Sequence, residues 1–170
     1  MTAGAQPSVV VITDANVLIN FFHIGQLSLL GKLAKYRFAV PMEVIAEVDE
    51  PAQATELAAA FEGGILEKLV IDDPITLGLF SELRSQMGRG EAACLAAAAI
   101  RKHLIASDEK KRFKRKTIEL LGEGRLLRTE DLIICAIREG HVTVDEADGY
   151  KAILAANRYA MAFASFFDVL

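Results

Sequence analysis

The sequence predicts an α/β protein with a mostly parallel sheet covered by helices on both faces. Three observations predict it. Short β-branched runs alternate with longer helical patterns along the whole chain. Strand–helix–strand alternation of this kind closes a parallel sheet through right-handed crossovers. A 170-residue chain that is 52% hydrophobic, with four prolines, is also long and apolar enough for one core and leaves no stretch that reads as a linker.

Val9–Ile12 is the first expected strand, in "VVVITDANVLINFF" (9–22). Helices are expected at Asn16–Phe22 and Gln26–Tyr36, broken near Gly25, then a strand at Arg37–Val40 that Pro41 halts. A single helix is expected over Met42–Phe61, ended by Gly63-Gly64. Leu66–Ile71 is a third strand, and Pro74 opens a helix over Ile75–Gln86 from a first-turn position. The Ala-rich helix Glu91–Lys102, the strand His103–Ala106 and the helix Glu109–Leu121 follow. The alanines at 92–99 predict close helix packing. A short strand at Arg125–Leu127 and helices at Thr129–Glu139 and Thr143–Ala156 complete the order, with Thr143 and Glu146 at the spacing of a capping box.

Composition excludes several classes. A net charge of −4 argues against broad non-specific nucleic-acid binding while leaving room for a local basic surface. Cys94 and Cys135 lie in apolar helical patterns and read as reduced core cysteines. No apolar run approaches the roughly 20 residues that cross a bilayer, and no signal-peptide pattern opens the chain. A soluble, cytoplasmic protein is therefore expected.

The informative residues are acids. Burying a carboxylate costs several kcal/mol unless donors or a cation meet it, yet Asp14 follows the first strand directly. Asp108, in "HLIASDEKKRF", follows the fourth strand in the same way. Ligands of open parallel sheets bind beyond the carboxyl ends of the strands, where strand order reverses. If strands one and four are neighbours, both acids share that crevice. Glu91 of "MGRGEAAC" starts a helix leaving the same edge, and Glu43 and Glu47 of "VPMEVIAEVDE" follow strand two, four apart on one helix face. The expected constellation is Asp14, Glu47 (or Glu43), Glu91 and Asp108. Clustered carboxylates repel one another, and a hard divalent cation such as Mg²⁺ or Mn²⁺ supplies the counter-charge. Such a centre suits phosphodiester hydrolysis. Each acid also has a plainer role: Asp14 as a helix N-cap, Glu91 as a first-turn acid favoured by the helix dipole, Glu43 as a solvated helix face. Convergence on one edge is what favours a site.

Other acid-after-strand enzymes fit poorly. A haloacid-dehalogenase-type phosphatase needs an acid where Asn16 stands and a hydroxyl where Leu18 stands. A phospho-receiver needs its acid pair at the first strand, whereas "VIDDP" (70–74) lies at the third.

The stretches "ITDANVLINFF", "VPMEVIAEV", "GRGEAACLAAAAI" and "LIASDEKKRF" resemble, in order and rough spacing, the PIN-domain nucleases, including the VapC-like toxins of bacterial toxin–antitoxin pairs. The resemblance covers about residues 8–115, and "LLRTEDLIICAIREGHVTVDEAD" resembles the tail of a PIN subgroup. It implies a three-layer α/β/α sandwich, one PIN-like domain over 1–170 with 129–170 as a helical extension, and RNA cleavage by Mg²⁺ or Mn²⁺. It implies Asp14, Glu91 and Asp108 as metal ligands, Glu47 as the further catalytic acid, and Thr13, Asn16 and Ser107 as small polar residues orienting them. Glu91 stands where many relatives have Asp.

"EKKRFKRK" (109–116) adds Lys110, Lys111, Arg112, Lys114 and Arg115 beside Asp108, a basic patch suited to RNA phosphates. The aromatic ending "NRYAMAFASFFDVL" suits core packing, a homodimer face or a groove for an antitoxin helix. A non-cutting PIN-like module that binds RNA or protein is the rival function.

Overall fold

The computed structural model describes residues 8–170; the first seven, which the single-domain expectation included, lie outside the described residues. Five strands, β1 (Val9–Thr13), β2 (Tyr36–Pro41), β3 (Glu67–Leu69), β4 (Leu104–Ala106) and β5 (Leu126–Leu127), form one parallel sheet in the order β3-β2-β1-β4-β5. The central strand β1 is flanked by β2 and β4, so the strand order reverses beside it. Val11 and Ile12 are fully buried, as expected for a strand covered on both faces.

The helices are α1 (Ala15–His23), α2 (Met42–Ile45), α3 (Pro51–Glu62), α4 (Pro74–Leu83), α5 (Arg89–Arg101), α6 (Arg112–Leu121), α7 (Thr129–Arg138) and α8 (Val144–Ala156). Helix α5 packs on β1, β2 and β4 and touches α2, α4 and α6, while α1, α7 and α8 pack together. The result is the expected three-layer α/β/α sandwich. Ala92 to Ala98 are all fully buried: small side chains let α5 lie close against the sheet while its neighbours cover it from the sides.

Two expected helices differ. The span Gln26–Tyr36 holds only a 3₁₀ turn, Leu27–Lys32. Gly31 lies within it, where a Cβ would stand 3.2 Å from Ile65, and the chain must already be extended at Tyr36 to pair with Val9. The helix Met42–Phe61 is two helices. Helix α2 ends in tight i→i−3 bonds, Glu47 N–H to Val44 O at 3.0 Å and Val48 N–H to Ile45 O at 3.2 Å. Pro51 then restarts the chain as the first residue of α3, capped by the Glu50 carboxylate; proline lacks the N–H that a continuous helix would need there. Glu43 and Glu47 therefore do not share a regular helical face. Helix α6 also begins three residues later than expected, because Lys111 takes a φ of +34° that bends the chain before Arg112.

At Thr143 the hydroxyl caps α8 by accepting the Glu146 N–H at 3.1 Å, and it donates to the Glu146 carboxylate at 3.0 Å. Both cysteines are free, Cys94 buried and Cys135 half-buried. Among the described residues no helix is long and apolar enough to cross a membrane.

Candidate active site at the sheet's switch point

Asp14 stands where β1 gives way to α1, with its N–H bonded to Ala106 O of β4 at 2.9 Å. Its carboxylate caps α1, accepting the Ala15 N–H at 2.8 Å, and accepts the Ser107 hydroxyl at 3.1 Å. The N-cap role that the sequence offers for Asp14 is filled. Asp14 is 3% exposed. Burial, opposed by the two hydrogen bonds and aided by the negative charges of Glu47 and Glu91, pushes its pKa from 3.8 up to about 7.

Glu47 reaches the same edge from the turn after α2. Its Oε1 accepts the Gly90 N–H at 2.9 Å, at the N-terminus of α5, where free N–H groups and the helix dipole favour a carboxylate. Glu91 lies in the first turn of that helix. Burial, and then the charges of Glu109 and Glu47, raise its pKa, while the Arg112 cation opposes them. Cys94 lies beneath. Its thiol is pushed well up, first by burial and then by the negative charges of Asp14, Glu47, Glu43 and Glu91. The Glu43 Oε2 is buried without a hydrogen-bond partner.

The loop after β4 divides its two acids. Asp108 is 7% exposed and turns toward α1 and α7. Its Oδ1 accepts the Thr129 N–H and the Tyr159 hydroxyl, each at 2.8 Å; its Oδ2 accepts Asn20 Nδ2 at 2.9 Å and the Thr129 hydroxyl. Four donors occupy the carboxylate. Burial and the charges of Asp108 and Glu130 hold the Tyr159 phenol protonated, its pKa well above the usual value. Glu109, the next residue, is the one whose charge acts on Glu91. Asn16 joins both: its Oδ1 accepts the Asp108 N–H at 3.1 Å, and its Nδ2 donates to Glu109 Oε1 at 3.2 Å. Ser107 Oγ accepts the Glu109 N–H at 3.2 Å while donating to Asp14. Thr13 is buried and its hydroxyl turns to Val11 O at 3.3 Å.

Asn16 and Ser107 hydrogen-bond Glu109 and Asp14, and Glu47 meets the N-terminus of α5, the helix whose first turn carries Glu91. Sequence reasoning passed over Glu109, Asn20, Thr129 and Tyr159. Glu109 was visible as the second acid of "SDE"; no sequence signal distinguishes it from Asp108, because two adjacent acids on a loop point to opposite sides. Asn20, one turn after Asn16 on the same face of α1, was legible in principle. Tyr159, 51 residues from Asp108, was not.

The donors around Asp14 are hard carboxylate oxygens that repel one another, with one orphaned buried oxygen on Glu43, and this chemistry fits Mg²⁺ or Mn²⁺. Among the described residues no three Asp, Glu, His or Cys side chains already close on one point as ligands.

The expected basic patch splits. Arg112, Arg115 and Lys116 line a furrow of about 190 Å³ with Gln86, Met87 and Glu119, and Glu119 pairs with Lys116 at 3.1 Å. Lys114 faces another, of about 430 Å³, with Arg125 and Arg128. Lys110 and Lys111 are exposed on the bend before α6. Met87 stands just before α5 begins, so the first furrow borders the end of that helix, whose first turn carries Glu91.

A family model described as a PIN domain matches residues 10–147. The chain belongs to the PIN-domain family. No curated protein matches it. The matched span of this PIN domain, a nuclease-type fold, holds every acid of the site and stops short of Tyr159.

Proposed function

We propose that this PIN domain is a metal-dependent endoribonuclease and the toxin half of a toxin–antitoxin pair, acting with Mg²⁺ or Mn²⁺. One observation carries the reading: Asp14, Glu47, Glu91 and Glu109 come from four separate segments to the carboxyl edge beside the central strand, where mutual repulsion calls for a cation. Asp14, Glu47 and Glu91 are the ligand candidates, with Glu109 rather than the fully engaged Asp108 as the acid from the last loop, and Glu43 in reserve through its orphaned oxygen. When bound, the cation would polarise the phosphate and stabilise charge on the leaving oxygen. The chain's own residues orient the acids: Ser107 and the Ala15 N–H fix Asp14, Gly90 fixes Glu47, Asn16 fixes Glu109. Arg112 and Arg115 offer cations to the strand's phosphates from the adjoining furrow.

The test is cleavage of a mixed single-stranded RNA pool with Mg²⁺ or Mn²⁺, beside EDTA and an Asp14→Ala control. Metal-dependent cutting abolished by Asp14→Ala supports the nuclease. A folded protein that neither cuts nor responds to Mn²⁺ supports the rival reading, a module that binds RNA or protein without cutting; the engagement of Asp108 by four structural donors favours it. The antitoxin and a homodimer belong to the same proposal. Phe166 is buried, whereas Phe167 is 76% exposed, so the aromatic tail is core at one residue and free surface at the next. Sedimentation of the intact chain with and without its genomic neighbour's product tests both partners.

A further inference from the structure

The segment past the matched family span sends one side chain into the acid loop. After α8 ends at Ala156, Arg158 takes a left-handed φ of +68° and turns the chain back, with the Tyr159 N–H bonded to Leu154 O at 2.8 Å. Farther on, Asp148 of α8 holds the tail, accepting the Ser165 hydroxyl at 2.7 Å and the Phe166 N–H at 2.8 Å. Phe166 is fully buried and meets Phe163 edge to face at 4.9 Å. Tyr159 is thus fixed from both sides, with its hydroxyl 2.8 Å from Asp108 Oδ1 and also bonded to Glu130. A phenol has one proton to share between two carboxylates, and the Arg128 guanidinium, 3.3 Å from Glu130, offsets the second negative charge.

We propose that Tyr159 is a positioning residue for the acid site: its hydroxyl locks the Asp108 carboxylate, and Asp108 in turn fixes the loop that holds Glu109 against Asn16 and Ser107. The role in metal binding rests on the nuclease reading above. The path is short. Asp108 is tied through its carboxylate to Asn20, Thr129 and Tyr159 and through its N–H to Asn16, and Asn16 itself holds Glu109. Asn20 and Thr129 hold Asp108 from α1 and α7, and Tyr159 is the donor that comes from outside those two helices. Tyr159 is not catalytic, because its hydroxyl is engaged by Asp108 and Glu130. Orienting partners of this kind typically change metal affinity by about 10- to 100-fold.

The experiment compares the full chain with Tyr159→Phe, which keeps the ring and removes the hydroxyl, and with Ser165→Ala, which loosens the same tail away from the site. Amide exchange of Glu109 and Thr129, Mn²⁺-induced thermal shift, and kcat and KM on RNA are read for each. In Tyr159→Phe the two amides exchange on the order of 10-fold faster, the Mn²⁺ midpoint rises on the order of 10-fold, and kcat falls while the KM for RNA holds. Ser165→Ala lowers Tm without these changes. Unaltered exchange at Glu109 overturns the proposal, as does uniform acceleration that includes the β1 and β2 amides. Tighter Mn²⁺ binding overturns it too, since Tyr159 would then be withholding Asp108 from the site. If the parent chain neither binds Mn²⁺ nor cuts RNA, the nuclease reading fails, and exchange at Glu109 still decides whether Tyr159 holds the loop.

Discussion

The Glu47 carboxylate rests on the backbone of Gly90, accepting its N–H at 2.9 Å where a Cβ on residue 90 would stand 2.5 Å from Oε1. Glycine here makes room for an acid, not for an unusual turn. In Gly90→Ala the clash falls on the end of a flexible side chain, so Glu47 swings away at little cost while Ala improves helix propensity by up to about 1 kcal/mol. Stability should stay within about 1 kcal/mol of the parent, while Mn²⁺ affinity drops on the order of 10-fold. Thermal melts with and without Mn²⁺ check this. A variant that binds Mn²⁺ as the parent does would remove Glu47 from the site.

Asp14 should make the metal-free protein less stable as pH rises. Its folded pKa of about 7 lies above the ordinary 3.8, so between about pH 4 and 7 the folded state holds more protons than the unfolded chain, and stability falls through that window. Below it Asp14 contributes no penalty. Above it the penalty is complete, with an upper bound of about 4 kcal/mol at about 1.36 kcal/mol per unit. Asp14→Asn keeps an acceptor for the Ala15 N–H and removes the charge. It should raise Tm at pH 7.5 and not at pH 4. Equal effects at both pH values would show that the charge is not the cause.

The two acids of the last loop should separate stability from metal binding. Asp108→Ala takes the acceptor from the Thr129 N–H, the Thr129 hydroxyl and Asn20 Nδ2, while the Tyr159 hydroxyl keeps Glu130, and buried unsatisfied donors cost about 1–3 kcal/mol each. Urea melts should show a loss of at least about 3 kcal/mol. Glu109→Gln keeps the Asn16 contact and should leave the urea midpoint unchanged while weakening Mn²⁺ binding. The reverse pattern would return the site role to Asp108.

The fold and most of the site follow from local rules that sequence carries openly. A β-branched run stopped by Thr13-Asp14 had to be a central strand with an acid at its mouth, and the Ala92–Ala98 run had to be a helix pressed against a sheet. The misreadings have one cause, tertiary override of local pattern. Met42–Phe61 is helical in composition, yet the turn at 46–47 brings Glu47 back to Gly90, a contact 43 residues away. Asp108 and Glu109 are indistinguishable locally, and their sides are set by Thr129 and Asn20 on one flank and Asn16 on the other. The link from Tyr159 depends on a left-handed Arg158, which no residue preference announces.

Charge reversal on α6 should locate the RNA path. Arg115 lines the furrow with Met87 and Arg112, on the Glu91 side, whereas Lys114 faces Arg125 and Arg128. For a single strand, every phosphate that is no longer neutralised by a protein cation lowers the slope of log affinity against log salt by about 0.7. If RNA follows the furrow beside the acids, Arg115→Glu weakens binding and flattens the slope by roughly that amount or more, since the new acid also repels, while Lys114→Glu has a smaller effect. The double reversal should flatten it by no more than the sum of the two. Fluorescence anisotropy on a short RNA across a salt series, in Ca²⁺ to suppress cutting, reads both quantities. A larger effect from Lys114→Glu would move the path to the Arg125–Arg128 side, and unchanged affinity and slope in both variants would take α6 out of the path altogether.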